Sequence, residues 1–400
     1  MFAKLLSKID RVKKTSPIAS AYSFDWILFC AALLISLAGL VTMNSFLPAL
    51  PAQAGQAGVG ENYFFSRQIL WLSISVLVFF ILSVIDWRFL RRTTVVAALF
   101  ILSSLFLLGL FIAGKTVHGA QSWFYLGGFS FQPSDPIKLV VILLLSKYFA
   151  RRHIEIANIR HILVSGFYAF IIFLLVLLQP DFGSAIIIFL IWLGMVLVSG
   201  ISKKHLLAVF LISVVSFAGL WIYGFKDYQK QRIKTFLHPL TDVRGAGYNA
   251  YQSTIAVGSG KVFGKGIGYG TQSKLQFLPA YQTDFIFAAF AEEWGFLGVL
   301  ILLTLFGIVI WKIIVSALHG ASNFETLFCA GLALFFMAQV VIHLGMNIGL
   351  LPVTGVTLPF MSYGGSHLLT EFAGLGILSG MQRYRRAAPK DAVKAEVLEA

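Results

Sequence analysis

Long apolar runs alternate with short polar clusters along most of the chain. A hydrocarbon core about 30 Å thick needs roughly twenty helical residues, and this length places about ten spans along the sequence. The runs carry almost no charge, whereas barrel strands would alternate apolar and polar residues. We therefore predict an all-α polytopic membrane protein with about ten transmembrane helices. The predicted spans are 26–47, 68–85, 93–113, 136–150, 161–179, 184–201, 204–224, 284–312, 325–349 and 363–382.

Composition and charge agree with this fold class. Hydrophobic residues make up 58% of the 400 positions and charged residues only 12%, which is outside the range of a soluble globular protein. The net charge of +14 does not indicate nucleic-acid binding, because Lys and Arg cluster between the apolar runs in the positive-inside pattern. The two cysteines, Cys30 and Cys329, lie inside apolar runs, so no structural disulfide is expected.

The basic clusters predict the orientation. They follow the second, fourth, sixth and last spans, and the N-terminal tail is also basic. With an even number of spans these clusters share one side, which places both termini in the cytoplasm. The N-terminal segment has no small-residue cleavage site of a signal peptide. We predict a cytoplasmic tail 1–25, one transmembrane domain 26–383 and a second cytoplasmic tail 384–400.

The outward side then carries one large loop, 225–283, between the seventh and eighth spans. This polar, glycine-rich stretch is longer than most connections in compact domains, and such loops are functional or disordered. Because the sequence of this loop is varied rather than of low complexity, a functional loop is favoured over a disordered one. The shorter stretches 48–67, 114–135, 180–183 and 350–362 face the same side, so any chemistry of the large loop takes place outside.

Charged residues near the spans are informative, because an ionised group in hydrocarbon costs several kcal/mol unless it is paired or hydrated. Lys138 follows Ser134-Asp135-Pro136, a helix-start signal. It therefore lies in a first helical turn, where the dipole disfavours a cation. We expect a nearby anion, which is either Asp135, Asp181 or a ligand phosphate.

Three further charged residues, Arg67, Asp181 and Asp284, have competing interpretations. Arg67 either anchors a helix end at the interface or faces a central cavity, and Asp181 is a candidate helix cap. With Lys138 these two would form a mostly basic outward pocket that suits a pyrophosphate. Asp284 either caps the eighth span or, partly desolvated beside Phe285, acts as a general base. The adjacent Glu292 and Glu293 point about 100° apart on a helix and are expected to support packing through different partners.

Several separate motifs resemble the SEDS family, which includes RodA and FtsW. The run 132–138 resembles the family's Gln-Pro-Ser-Glu-x-x-Lys motif, and 179–183 resembles Gln-Pro-Asp-x-Gly. The large loop ends in Phe277-Leu278-Pro279 and Thr283-Asp284-Phe285-Ile286-Phe287, and the last outward loop contains Pro359-Phe360-Met361-Ser362-Tyr363-Gly364-Gly365-Ser366. The resemblance covers most of the chain.

The resemblance implies a glycosyltransferase that polymerises peptidoglycan from lipid II into β-1,4-linked strands at the bacterial inner membrane. It makes Asp284 the catalytic residue and gives Glu292 and Glu293 structural support. Features around 247–260 lean toward the elongation member RodA, with the division member FtsW as the alternative. The substrate-binding residues that it implies are Arg67, Lys138, Asp181, Gln132, Trp123 and Ser366.

Members of this family work with a class B penicillin-binding protein, a transpeptidase, so the same partner is expected beside lipid II and membrane lipid. A divalent cation, Mg²⁺ or Mn²⁺, on the pyrophosphate is compatible with the resemblance, although the sequence shows no ligand cluster for it. The histidines, including His118, His343 and His367, lack metal-ligand spacing and are interpreted as structural.

The sequence also departs from the family pattern. Ala280 and Gln282 stand where Glu and His are common, Ser122 stands where Arg is usual, and His367 stands where Ser is common. Two other hypotheses therefore remain beside the enzyme. One is a lipid II flippase, which a polar cavity between helices also fits, and the other is a catalytically silent scaffold.

Overall fold

The computed structural model of this chain describes residues 24–45, 63–117, 120–126, 129–150, 159–238, 246–275, 277–278 and 280–387. Most of both predicted tails lies outside these residues, as do most of the loop 48–67 and His118. The described part is predominantly helical, which confirms the predicted fold class.

Thirteen α-helices are found in the described residues. Short 3₁₀ and π-helical turns at Trp87–Arg91 and Leu220–Gly224 follow α2 and α7. The helices are α1 (Trp26–Ser45), α2 (Tyr63–Val84), α3 (Thr93–Ala113), α4 (Ser134–Ala150), α5 (Ile159–Leu178), α6 (Phe182–Val198), α7 (Lys203–Gly219), α8 (Asp227–Leu237), α9 (Ala246–Ser259), α10 (Thr271–Lys274), α11 (Ile286–Leu318), α12 (Asn323–Asn347) and α13 (Gly365–Ala387).

Each of the ten predicted spans coincides with one of these helices, namely α1 to α7 and α11 to α13. Among the described residues, seven helices are long and apolar enough to cross a membrane, and α6 is apolar but shorter. The helices α4 and α13 fall outside that group: α4 has 17 residues and α13 carries several charged ones. The count of ten spans therefore stays a prediction.

The helices differ sharply in how much of their surface the protein covers. In the most apolar window of α12, 67% of residues are buried inside the molecule, against 6% in the helix of α7 and its π-turn. Because both helices are apolar, this contrast places α12 in the centre of the bundle and α7 at its edge. The exposed side chains of α7, such as Phe210 and Val215, suit contact with lipid.

Helix α13 packs closely along α2. Small residues on α13 allow the approach: a Cβ on Gly376 would lie 2.9 Å from the carbonyl oxygen of Phe79, and one on Gly380 would lie 2.7 Å from the indole of Trp87. Small residues at helix contacts are typical of membrane bundles, where close packing replaces the hydrophobic driving force. The pairing holds the beginning of α13 beside the beginning of α2.

A small antiparallel sheet lies between α3 and α4, within the predicted loop 114–135. Its strands are β1 (Lys115–Val117), β2 (Ala120–Leu126) and β3 (Phe129–Phe131), in the order β1-β2-β3. Phe124 pairs with Phe131 across β2 and β3. The sheet leads directly into the start of α4 and so sets the position of Gln132.

Ion pairs join helix ends at the side that the sequence predicts to be cytoplasmic. Arg91 binds Glu325 at 2.7 Å, and Lys312 binds Asp25 at 3.0 Å. These pairs connect the end of α2 with the start of α12, and α11 with the start of α1. Both contacts agree with a topology in which these four ends share one side of the membrane.

Helix α11 is interrupted at Gly295, where part of the large loop packs into it. Gly295 has φ 64° and ψ −167° inside the helix. Two backbone hydrogen bonds join the loop to the helix. Gly266 N donates to Glu293 O at 3.0 Å, and Phe296 N donates to Lys261 O at 2.9 Å. Residues 296–318 alone measure about 34 Å, enough for the hydrocarbon core. The predicted span 284–312 is therefore shifted, and Glu293 lies ahead of the membrane-length stretch.

Replacing Gly295 by alanine is expected to destabilise this junction. The backbone conformation is one that only glycine adopts readily, at a cost of roughly 1–3 kcal/mol for other residues, and the new Cβ would collide with the backbone nitrogen of Gly264. Thermal unfolding in detergent should show a lower Tm. The matched control is Gly307→Ala on the same helix, where a Cβ meets nothing within 4 Å. Equal melting temperatures for both variants would contradict the proposed junction.

Candidate active site

Asp284 lies in a turn just before α11. The N-cap of α11 is Phe285, which makes no side-chain capping bond, so Asp284 does not occupy the capping position that one interpretation gave it. Its carboxylate is half-buried, and a Cβ on Gly355 would lie 3.8 Å from Asp284 Oδ2. The buried residues Phe285 and Ile286 follow directly. Asp284 therefore stands at the edge of an apolar core, facing the loop after α12.

Two elements distant in sequence fix the backbone of this turn. Asn347, at the end of α12, donates from Nδ2 to Asp284 O at 3.0 Å, and its Oδ1 accepts from Ala288 N at 3.2 Å. From the last outward loop, Ser362 Oγ donates to Thr283 O at 2.9 Å. Because all these bonds reach the main chain, they hold the backbone of Asp284 in place.

Replacing Asn347 by alanine is expected to loosen this turn. Each buried polar group that loses its partner costs roughly 1–3 kcal/mol, and Asn347 is fully buried. We expect a lower Tm in detergent together with lower activity. Asn249→Ala on α9 is the control, since that side chain is half-buried. The result that would contradict this role is an Asn347→Ala variant with the wild-type Tm.

Tyr281, three residues before Asp284, is not a competing base. Burial raises the pKa of its phenol above the ordinary value, so the hydroxyl keeps its proton at neutral pH. In the described part of this turn, Asp284 is the residue whose carboxylate can accept a proton.

Lys138 forms a buried ion pair at the start of α4. Its Nζ donates to Asp135 Oδ1 at 2.9 Å, and both side chains are almost fully buried. Asp135 Oδ2 accepts from Ser366 Oγ, also at 2.9 Å, which joins α4 to α13. The expected anion beside Lys138 is thus Asp135. This pair balances the charge of Lys138, and the basic pocket of Arg67, Lys138 and Asp181 stays a prediction.

Asp181 caps α6, as one interpretation predicted. Its Oδ1 accepts from Ser184 N at 3.0 Å, while its Oδ2 accepts from Gln132 Nε2 at 2.8 Å and from Ser134 Oγ at 3.2 Å. Ser134 begins α4 one residue before Asp135. The side chains of Gln132 and Asp181 are therefore part of the same polar cluster as Lys138.

Arg67 lies inside α2, since the helix begins at Tyr63 rather than at the predicted 68. The next residue, Gln68, is buried and binds the last outward loop: its Nε2 donates to Ser362 O at 3.1 Å, and its Oε1 accepts from Gly364 N at 3.2 Å. Arg67 is half-buried. The structure thus places the start of α2 against the loop that also holds Thr283.

The strand β2 carries two of the residues noted in the sequence. Ser122 is buried and donates to Gln179 O at 3.3 Å, just before Asp181. Trp123 is half-buried and pairs across the sheet with Lys115. The sheet therefore lies beside the Asp181 end of the polar cluster.

A buried acid that the sequence analysis did not single out completes the region. Glu371 Oε2 accepts from Phe360 N, and Oε1 lies 2.8 Å from His367 Nε2. His367 also bonds Thr357. These contacts hold the last outward loop onto α13. His343 similarly bonds the carbonyl of Val356, so both histidines bind protein groups, as expected of structural residues.

Glu292 and Glu293 bind different partners, as predicted, and each of them binds a residue of the large loop. Glu292 is paired with Lys265 at 2.7 Å, and Glu293 accepts from Gly268 N at 2.6 Å. Neither of these bonds involves Lys138, Asp135 or Ser366.

The segment 357–366 connects the predicted site residues. It contacts the Asp284 turn through Ser362, α2 through Gly364, and the Lys138 pair through Ser366. All of these groups lie at the beginnings of α2, α4, α6, α11 and α13, the end that the predicted topology places outside. Three carboxylates, Asp135, Asp181 and Asp284, are thus collected with hydroxyl, amide and basic groups at one end of the bundle, which suits recognition of a polar, hydroxyl-bearing ligand.

Comparison with known proteins identifies the family. The model of the family described as FtsW, RodA and SpoVE cell cycle proteins matches residues 25–387. The chain belongs to this family. It is the SEDS family that the motifs in the sequence indicated, and the match covers every site residue discussed above.

Two curated relatives illustrate the similarity. Stage V sporulation protein E of Bacillus subtilis is 34% identical over 379 residues, covering 94% of this chain and 99% of the relative. Peptidoglycan glycosyltransferase MrdB of Escherichia coli is 39% identical over 293 residues, covering 73% of this chain and 79% of the relative.

A solved SEDS chain has the same fold. It comes from a peptidoglycan synthase complex described in terms of coordinated polymerization and crosslinking, and it matches with a TM-score of 0.75 and 29% identity. The match covers 92% of this chain and 100% of the solved one.

Proposed function

We propose that this SEDS protein is a peptidoglycan glycosyltransferase that polymerises lipid II into β-1,4-linked glycan strands. The observation that carries the proposal is the position of Asp284, a half-buried carboxylate whose backbone is fixed by Asn347 and Ser362. The curated relative MrdB, named a peptidoglycan glycosyltransferase, agrees with the activity predicted from the sequence.

Asp284 is proposed as the general base. It takes the proton from the 4-hydroxyl of the acceptor lipid II sugar, and the oxygen forms a bond to the anomeric carbon of the growing chain. The bond from that carbon to the pyrophosphate oxygen breaks, and undecaprenyl pyrophosphate leaves with the electron pair. A single displacement inverts the anomeric centre, which gives the β linkage. A positioned base of this kind contributes about 10²–10⁴-fold to rate.

Arg67 and Lys138 are proposed to stabilise the charge that develops on the leaving pyrophosphate. An ammonium group has three donors, and the observed bond to Asp135 uses one of them. Asp135 and Ser366 would orient Lys138, while Gln132 and Asp181 would hold the start of α4. Trp123, on strand β2, is proposed to form part of the wall of the substrate-binding site.

A divalent cation on the pyrophosphate would need oxygen ligands. Mg²⁺ and Mn²⁺ prefer carboxylate and phosphate oxygens. The described residues contain no group of three or more His, Cys, Asp or Glu side chains placed to hold a metal, and Asp135 and Asp181 are already bound by protein donors. Within the described part of the chain these residues do not form a dedicated metal centre, and no step above uses one.

The proposed setting is the bacterial inner membrane, with both termini in the cytoplasm and lipid II bound from outside. A class B penicillin-binding protein is the proposed partner, because the similar solved chain belongs to a peptidoglycan synthase complex. We place the protein in the elongation branch with RodA, and a division role like that of FtsW is the alternative.

The proposal is tested by incubating the purified chain and its transpeptidase partner with labelled lipid II. We expect long glycan strands that a muramidase digests, since that enzyme cleaves β-1,4 bonds. Failure to form polymer under conditions where a relative such as MrdB does so would overturn the proposal.

A further inference from the structure

The large loop is attached to α11 by a buried carboxylate that the proposed chemistry does not use. Glu292 is fully buried and collects donors from four loop residues, of which Ser259 Oγ, at 3.4 Å, is the most distant. Lys265 Nζ lies 2.7 Å from Glu292 Oε1, Thr271 Oγ1 lies 3.1 Å away, and Gln272 N also donates at 3.1 Å. We call this group, Lys265, Thr271, Gln272 and Glu292, the loop latch.

Main-chain bonds beside the latch align the same two segments. Lys265 N donates to Glu292 O at 3.0 Å, and Gly266 N donates to Glu293 O at 3.0 Å. These carbonyls lie just before the break at Gly295, where α11 loses its regular hydrogen bonding. The loop therefore supplies donors to the interrupted helix, and Lys265 contributes both its main chain and its side chain.

The latch continues toward Asp284 through the second half of the loop. Gln272, bound at Glu292, accepts from Leu278 N at 3.1 Å. Leu278 is 1% exposed and packs with Phe285 and Ala288 in a small apolar cluster. The chain on the N-terminal side of Asp284 is thus fixed at Gln272 and Leu278, both against the first part of α11.

Charge makes Lys265 the sensitive member of the latch. A buried carboxylate that loses its cation is strongly destabilised, and Lys265 is the cation that the described structure pairs with Glu292. The other donors, Ser259 Oγ, Thr271 Oγ1 and Gln272 N, are neutral. Without Lys265 the carboxylate would draw in water or a proton, and the loop would lose its fixed register on α11.

We propose that Lys265 is a positioning residue for the reaction: by neutralising Glu292 it holds the large loop on α11 and so keeps Asp284 aligned with the acceptor hydroxyl. The proposal rests on the proposed function for its kinetic part. Misplacing a catalytic group by about 1 Å costs roughly 10²-fold in rate, and the loss should fall on kcat because Lys265 lies in the loop and not in the Lys138 cluster.

The test compares Lys265→Met with Lys265→Arg in the full-length protein and its partner. Lys265→Met should lower kcat for lipid II polymerisation by about 10²-fold with an unchanged KM, and Lys265→Arg should restore most of it. Hydrogen exchange of the backbone at 280–285 should become faster in Lys265→Met and stay slow in Lys265→Arg. Lys274→Met, at an exposed lysine of the same loop, is the matched control.

The exchange measurement separates the latch from the proposed function, because it needs no polymerisation. Unchanged exchange and unchanged kcat in Lys265→Met would overturn the latch, as would an equal effect of Lys274→Met. If Lys265→Met does not fold, Lys265→Gln takes its place, because glutamine keeps a hydrogen-bond donor without the charge. Its kcat and its hydrogen exchange at 280–285 are then compared with those of the wild type. A wild type that forms no polymer would overturn the proposed function, while slow exchange lost in Lys265→Met would still support the latch.

Discussion

Asp284→Asn is expected to lower kcat for lipid II polymerisation by about 10²–10⁴-fold, the range that a positioned general base contributes. Asparagine keeps the size of the side chain and loses the proton-accepting carboxylate. The bonds that fix this turn reach main-chain atoms, from Asn347 to Asp284 O and from Ser362 to Thr283 O. The substitution should therefore leave the turn in place.

Steady-state polymerisation and thermal unfolding, measured on the same detergent preparation, check this expectation. The variant should melt like the wild type and keep its KM for lipid II. Gln282→Asn in the same turn is the control, because the contact of Gln282 with Tyr363 also uses a backbone carbonyl. A kcat for Asp284→Asn within threefold of the wild type, well inside the range above, would remove Asp284 from the chemistry.

Lys138→Met is expected to cost about 3–5 kcal/mol of stability, because it leaves the buried carboxylate of Asp135 without its cation. The pair joins α4 to α13 through Ser366, so the loss should lower the Tm and abolish polymerisation together. Unfolding in detergent and the lipid II assay measure the two effects.

The double variant Asp135→Asn with Lys138→Met separates structure from chemistry. Neutral replacements of a buried ion pair are often tolerated, so most of the stability should return. Polymerisation should stay lost if Lys138 also contacts the leaving pyrophosphate. A stable double variant with wild-type activity would show that Lys138 has only a structural role as the partner of Asp135.

Contacts between residues close in sequence were predictable. The pairing of Lys138 with Asp135 follows from their separation of three residues at a helix start, and the cap of α6 by Asp181 follows from the same rule. The ten apolar runs likewise predicted ten helices, because the length and polarity of each run are local properties. The catalytic role proposed for Asp284 came from the family motifs, because burial alone would not have assigned it.

Contacts between distant segments were not predictable in this way. Gln68 and Ser362 are 294 positions apart, and Asn347 is 63 positions from Asp284. The hydrophobic periodicity of a single sequence indicates local structure and does not show which distant residues are in contact. The pairing of Lys265 with Glu292 was missed for the same reason, although the partners of Glu292 and Glu293 were expected to differ.

Two omissions had signals in the sequence. Glu371 is an acid within an apolar span, and such a residue is costly unless it is bound, so it could have been recognised beside Lys138 and Asp284. The strand β2 contains Trp123, Phe124 and Tyr125, a composition that favours strands. The break of α11 at Gly295 had only a weak signal, because a single glycine within a helical pattern is usually tolerated.

The most direct measurement gives lipid II to one side of a membrane. The protein and its transpeptidase partner are reconstituted in vesicles, labelled lipid II is supplied only on the face that carries the Asp284 turn, and wild type is compared with Asp284→Ala. We expect polymer on that face with the wild type and none with the variant. Transport of lipid II to the other face by both proteins, without polymer from either, would contradict the account and favour a flippase.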